Sequence, residues 1–510
     1  MTRLCKPMRT CTVVAKRHRR GIAVAIQLAV SDSYDLIIVG TGFAGAFFLM
    51  RYLAHAPPRA RVLVLERGRS DSKAWQLRAR RASSTAPDEV FVNRTPEKPW
   101  LTSPGFGGNS KCWWAGTTRM LPNDFQLRTR YGVGEDWPVT YDDLEPYYSE
   151  VEQVMLVAGA PESPVRRSRP YPLPAHRLSE PDLWLKRAFP QAWFVPPTAR
   201  ASVATGKRGV CCASGVCEIC PVDAKFTVQN GLAHLYRDRR VTLQLESPVQ
   251  HIDMAAGRAT GVTYSSAGRA KQARADLIVL AASALFNPHL MLRSGLTHPL
   301  LGRRLHDQPE VDVGVDLRGV KAYTGSTVIT GNGYLFYDGE HRRDYAACMV
   351  ETWNSPFVFQ AAALRPERGR WNERQYFRFI FDDLPREDNA VTVNAANPQL
   401  AETTYNGCSD YARRAIERTP EMIAVLARAL PIERIVDITP APSSAHIIGT
   451  TVMGTDPARS VIDPYLVHHS VRNLVVLGSG AFPNATPALP TLTLCALTLR
   501  AADHLFAAAA

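Results

Sequence analysis

Residues 34–68 read YDLIIVGTGFAGAFFLMRYLAHAPPRARVLVLERG. The apolar run 36–39 predicts a buried parallel strand, and Val62–Leu65 predicts a second. Between them lie the turn Gly40-Thr41-Gly42-Phe43-Ala44-Gly45 and a helix-like stretch, 46–54. Gly40 permits the sharp turn, Gly42 lets the backbone approach a pyrophosphate, and Gly45 lets helix and strand pack closely. The helix N-terminus offers N–H groups and the positive end of a dipole to phosphate. Glu66 ends the second strand, where a carboxylate accepts ribose hydroxyls. GxGxxG alone is weak. Set between two strands, with the acid at this distance, it predicts a dinucleotide-binding unit without choosing FAD over NAD.

The 510 residues exceed one ordinary domain and predict two or more; 45% hydrophobic content supports an ample core. No stretch approaches the roughly 20 apolar residues of a membrane helix, so no membrane span is expected. The net charge is +13, but seven positive charges precede the first acid, Asp32, leaving +6 for the rest. Basic clusters interleaved with aromatics are not evident, and nucleic acid is not an expected partner. Residues 1–33 form a basic N-terminal extension. Basic residues at 16–20 precede a short apolar run, 21–30, as in a signal peptide. Gln27 interrupts that run and no small-x-small cleavage site follows. A cytoplasmic location is expected, with twin-arginine export through Arg19-Arg20 as the alternative.

A second small-residue stretch, GFGGNSKCWWAG at 105–116, holds Gly107, Gly108, Asn109 and Ser110. Such density indicates backbone passing close to something flat or large. PNDF (122–125) and DWPVTYDDLEPYY (136–148) follow, with Thr140 placed to cap a helix. Near the C-terminus, SSAHIIGTTVMGTDP (443–457) fits H-x-x-G-T-x-x-M-G-x-D-P. With these motifs in this order, roughly residues 34–505 resemble the glucose–methanol–choline (GMC) family of FAD oxidoreductases, nearest to its bacterial sugar and gluconate dehydrogenase large subunits.

The resemblance implies an α/β chain. A Rossmann-type FAD-binding domain would take residues 34–156, 230–309 and 441–510. A discontinuous α+β substrate domain, built on a mostly antiparallel sheet, would take 157–229 and 310–440. It implies FAD, with the 105–116 loop against the flavin. In some relatives a loop histidine bonds the flavin covalently; Cys112 occupies the comparable place.

Cys211, Cys212, Cys217 and Cys220 fall within ten residues. Cys212-x4-Cys217-x2-Cys220-Pro is close to iron–sulfur ligand spacing. In the resembling subunits a similar run carries a three-iron cluster that takes electrons from the flavin. Here the last gap is one residue shorter. An iron–sulfur cluster is the expected occupant; structural zinc, disulfides and a vestigial loop stay open.

Residues 69–100 show no period and read as a surface loop. The runs 241–245, 251–253 and 259–264 alternate as antiparallel strands do, and 275–282 reads as a buried strand. His306, in GRRLHDQP (302–309), reads as part of a turn between domains rather than as a catalytic group. Trp353 and Tyr376 are candidates for a sugar site, although such aromatics are more often core.

The resemblance assigns catalysis to the last segment. His446 is the implied base. Hydride cannot leave an alcohol carbon until the oxygen starts to become alkoxide, and a neutral imidazole accepts that proton. Gly478 and Ser479 fall in the closing strand and turn. Pro490 and Thr491 open a helix whose N-terminus would stabilise charge on the reduced ring. The family's second catalytic group is an Asn or His directly before that Pro-Thr; here Leu489 stands there. Either His446 works alone, or a nearby polar residue such as Asn484 substitutes, or the substrate is not an ordinary alcohol.

The expected function is a dehydrogenase. It oxidises a hydroxyl of a sugar or polyol-like substrate by hydride transfer to FAD. Electrons go to a non-oxygen acceptor, the cluster or a small-subunit or cytochrome partner. The alternatives are an oxidase or tailoring flavoenzyme acting on a lipid or natural product, and a non-catalytic electron-transfer subunit.

Overall fold

The computed structural model describes residues 32–356 and 364–507. The basic extension up to residue 31, with its twin-arginine pair, lies outside the described residues. Asp32–Val39 and Val62–Leu65 pair in parallel, Leu36 opposite Val62, with the helix Phe43–His55 between them. All four residues of Val62–Leu65 are buried, as a strand covered on both faces requires.

These strands sit in a seven-stranded sheet. Its order is Val241–Gln244, Val62–Leu65, Asp32–Val39, Arg269–Leu280, Arg258–Ser266, Val249–Ala255. Leu474–Val476 joins the C-terminal part of Arg269–Leu280 in parallel, returning the chain's end to its beginning. The sequence reading is corrected at one strand. Val249–Ala255 and Arg258–Ser266 are antiparallel neighbours, but Val241–Gln244 lies on the opposite edge, parallel to Val62–Leu65. Alternation of side chains marks a strand and leaves its partner undetermined.

A second, six-stranded sheet is antiparallel throughout. Its order is Ile432–Ala441, Glu310–Leu317, Arg374–Phe381, Cys348–Trp353, Ile329–Phe336, Trp193–Phe194. Ala390–Val393, Ala401–Thr404 and Phe91–Asn93 make a third, small sheet. The 69–100 stretch is therefore more than a loop. It contributes Phe91–Asn93 and the helix Lys73–Ala79, both too short to show a period.

The helix Pro490–Ala507 packs on Phe43–His55 and on Tyr141–Met155. Thr140 caps the latter reciprocally with Asp143: Thr140 Oγ1 accepts from Asp143 N at 3.2 Å, and Asp143 Oδ2 accepts from Thr140 N at 2.8 Å. Leu492, Cys495, Ala496 and Leu499 are fully buried in the core these helices share.

Candidate active site

The parallel strands Asp32–Val39, Val62–Leu65, Arg269–Leu280 and Leu474–Val476 end together. Gly40, Glu66, Ala281 and Leu477, each following one of them, all line one cavity of about 680 Å³. A crevice outside the carboxyl ends of a parallel sheet is where such folds bind ligands.

At Gly40 φ is +105°, and a Cβ would lie 2.5 Å from the Ala281 carbonyl oxygen. At Gly45 a Cβ would lie 2.3 Å from Gly40 O, so helix and turn touch backbone to backbone. Gly42 differs. It lines the cavity, and a Cβ there would meet no protein atom within 4 Å. It also stands before the first turn of Phe43–His55 with no side-chain cap, so the turn's N–H groups are left for another acceptor. This open, uncapped helix start fits a dinucleotide phosphate. Pro490 and Thr491, at the start of the last helix, and Gly478 and Ser479 line the same cavity.

Glu66 also lines it, but its carboxylate is filled from within. Oε2 accepts from Thr41 N (3.1 Å) and Thr41 Oγ1 (2.7 Å); Oε1 accepts from Gly68 N (3.2 Å) and Gly105 N (3.0 Å). In this structure Glu66 clamps the first glycine turn to the 105–116 loop from the edge of the cavity. From that loop Gly108 and Asn109 reach the cavity. Gly107 and Ser110 stand behind it: Ser110 Oγ donates to Gly107 O at 2.6 Å and accepts from Val228 N at 3.0 Å. Buried Lys225, which no motif singles out, pins the loop through Lys111 O (2.7 Å) and Trp113 O (2.9 Å) and ties it to Glu218 O (3.0 Å) of the cysteine run.

His446 stands half-buried at the cavity wall. Its Nδ1 lies 3.1 Å from Ser444 Oγ, and the Ser444 hydroxyl donates to Asp307. That hydroxyl's proton is spent, so it accepts from the imidazole. Nδ1 carries the hydrogen and Nε2 the lone pair. Among the described residues no group hydrogen-bonds Nε2. Burial pushes the imidazole down to about 4; Lys98 and Arg378 act the same way and Asp307 opposes them. The ring is neutral at pH 7.

Asp307 is the hub, 1% exposed. Oδ1 accepts from Gln308 N (2.8 Å), His446 N (3.3 Å) and Ser444 Oγ; Oδ2 accepts from Ser443 Oγ (2.8 Å), Ser444 N (3.1 Å) and Lys98 Nζ. Burial works against its ionisation, but Lys98, His446 and the hydrogen bonds outweigh it and hold the carboxyl below its usual range. Sequence reasoning passed over both Asp307 and Lys98. The one available signal was Asp307's place beside His306. His306 itself is fully buried outside the cavity, its backbone paired with Ile448 and its Nδ1 2.6 Å from Arg304 O.

Other expectations change. Asn484 does not reach the cavity: Nδ2 donates to Glu135 O at 2.6 Å and Oδ1 accepts from Glu135 N at 3.2 Å, so its amide is committed to holding that loop. Leu489 fills the place of the second catalytic group. A Cβ on Gly116 would lie 2.1 Å from its Cδ1, so glycine there makes the room. Trp353 lines the cavity, whereas Tyr376 packs over Gly314. Cys112 lines it too, but burial pushes its thiol up to about 11, away from the thiolate a covalent bond to flavin would draw on.

The cysteine run does not form a ligand set. Among the described residues no three His, Cys, Asp or Glu side chains converge on a point that could hold a metal ion. Cys212 is exposed. Cys211 Sγ lies 3.5 Å from Thr327 Oγ1, and Cys220 Sγ accepts from Ala224 N at 3.2 Å. Cys217 packs beside Ile329 and Trp353, and burial pushes its thiol up to about 11. Thiols that face different partners in this way do not fit an iron–sulfur cluster.

Comparison with known proteins agrees with this geometry. GMC oxidoreductase family models match residues 34–310 and 385–498. The chain is 27% identical to the fructose dehydrogenase large subunit of Gluconobacter japonicus, over 92% of this chain and 97% of that protein. It is 27% identical to the 6'''-hydroxyparomomycin C oxidase of Streptomyces lividus, over 96% and 94% respectively. In fold it is similar to the crystal structure of pyridoxine 4-oxidase from Mesorbium loti, with a TM-score of 0.65 at 17% identity, covering 92% of this chain and 99% of that one. A dinucleotide crevice that reaches a neutral histidine, and family matches over most of its length, place the chain in the GMC oxidoreductase family, FAD-binding enzymes that act on CH–OH groups.

Proposed function

We propose that this enzyme oxidises a hydroxyl of a sugar or polyol-like substrate and passes the electrons to a protein partner rather than to oxygen. One observation carries the reading. His446 shares the cavity of the glycine turn, and its neutral ring presents a bare Nε2 because Ser444 and Asp307 hold Nδ1–H. FAD, when bound, supplies the hydride acceptor.

The chain's own task is the proton. As the substrate O–H ionises, Nε2 takes its hydrogen and positive charge develops on the ring. That charge is offset through the Ser444 hydroxyl by Asp307, which Lys98 keeps ionised. An imidazole held near 4 is a weak base at rest. The buried carboxylate, already hydrogen-bonded to its neighbours, keeps it from being weaker still, and does so without reorganisation. Leu489 offers the alkoxide no second donor, so a single imidazole carries the proton step.

The thiols do not converge, so no internal relay is invoked. A partner subunit as acceptor is supported by the Gluconobacter relative, which is named as a large subunit. Oxygen is the second reading, favoured by the Streptomyces relative, which is named an oxidase.

His446→Ala tests the base. The variant is expected to retain FAD and to lose anaerobic flavin bleaching by a panel of sugars and polyols about 10²–10⁴-fold. Bleaching at the wild-type rate refutes the assignment. Admitting air to the reduced wild-type enzyme separates the acceptors, since prompt reoxidation with peroxide release favours the oxidase.

A further inference from the structure

The cavity's far wall is one face of the antiparallel sheet. Glu310 and Asp312 on one strand, Arg378 and Ile380 on the next, and Glu351 and Trp353 on the third alternate onto that face. The intervening residues Val311, Val350, Phe377 and Phe379 point the other way and form a separate apolar core. Glu310, Glu351, Arg378 and Trp353 all line the cavity.

The carboxyls on this wall outnumber the cations paired with them. Arg378 grips Asp312 in bidentate fashion, Nε to Oδ1 at 2.7 Å and Nη2 to Oδ2 at 2.9 Å. Its Nη1 lies 3.2 Å from Glu310 Oε2, without hydrogen-bond alignment. Glu351 is 4% exposed, and its carboxyl makes no hydrogen bond or ion pair among the described residues. Three carboxyls thus face Arg378, itself already engaged, and Arg200 adds a second, smaller cationic influence on Glu351. Burial raises Glu351 to about 7 and Glu310 well above its usual range, with Arg378 opposing both and Arg200 also opposing the shift of Glu351. Such a carboxyl is costly to keep ionised and is driven toward the neutral acid unless a cation that enters the cavity compensates its charge.

We propose that Glu351 and Glu310 form an acidic subsite that takes the ammonium group of an aminated sugar or aminocyclitol while His446 receives the hydroxyl proton of the same molecule. The inference rests on reading the cavity as a site of CH–OH oxidation and adds the substrate class. A neutral hydroxyl could be bound by a protonated carboxyl or by an amide; an ammonium needs the charge. Glutamine therefore separates the two, keeping the shape and hydrogen bonds while removing the charge.

The test is calorimetric binding to the FAD-loaded enzyme near neutral pH. Its probes are D-glucosamine, 3-amino-3-deoxy-D-glucose, 6-amino-6-deoxy-D-glucose and paromamine, each compared with D-glucose. At least one amine is expected to bind about tenfold or more tighter than glucose. That ratio should collapse toward one in Glu351→Gln and in the double variant Glu310→Gln/Glu351→Gln, with FAD content and melting showing that both are folded. Glucose binding as tightly as every amine overturns the proposal in the wild type alone. A preference that survives the double variant overturns it as well. Amines bound with the preference but never bleaching the flavin leave the subsite standing and remove the oxidation reading.

Discussion

At the scale of single residues, chemistry here depends on one imidazole and the groups behind it. Position 446 was legible because its motif is local. Asp307 and Ser444 were not, since 137 residues separate them in the chain and only folding joins them. The arrangement sets a sign for pH. His446 must be neutral to act, and burial holds it near 4, so kcat/KM should be full at neutral pH and fall as pH drops through about 4. Asp307 raises that value, so Asp307→Asn moves the acid limb lower still. It also lowers kcat about 10- to 100-fold, the cost of one charge-assisted hydrogen bond. Anaerobic bleaching rates across pH check both. An acid limb near 6.5 in the wild type contradicts the buried imidazole, and a limb unmoved in Asp307→Asn contradicts the relay.

At the scale of elements, two glycines of one turn do different work, and a methyl group tells them apart. Gly45→Ala drives a Cβ into Gly40 O, 2.3 Å away, and should lower the apoprotein's stability by about 1–3 kcal/mol along with FAD retention. Gly42→Ala meets no protein atom and has ordinary backbone angles, φ −69°. Apoprotein stability should stay within about 1 kcal/mol while FAD binding weakens. Denaturant midpoints and flavin content of the two variants decide. Equal effects on stability would mean that Gly42 serves packing alone. The element scale also shows where periodicity runs out. Val241–Gln244 alternates like its neighbours, but a prediction of strand type carries no partner, and this one sits at the far edge of the sheet.

At the scale of the whole molecule, the cavity lies where the ends of the parallel sheet meet one face of the antiparallel sheet. No helix among the described residues is long and apolar enough to cross a membrane. The dispersal of Cys211, Cys212, Cys217 and Cys220 makes a direct prediction: purified protein should be yellow, with a flavin spectrum and no stoichiometric iron or sulfide. Stoichiometric iron would show that the 207–221 loop rearranges around a cluster. The amino-acid order alone determined the dinucleotide unit, the helix cap at Thr140 and the histidine motif. Each depends on spacings of a few residues, where backbone geometry leaves few choices. Tertiary structure alone decided that Asp307 stands behind His446, that Glu310 and Glu351 face the cavity, that Leu489 fills the room left by Gly116, and that the four thiols part company. Each of those outcomes depends on which face of a strand or loop meets a segment many residues away, and that is settled by packing two sheets against each other, which no local pattern records.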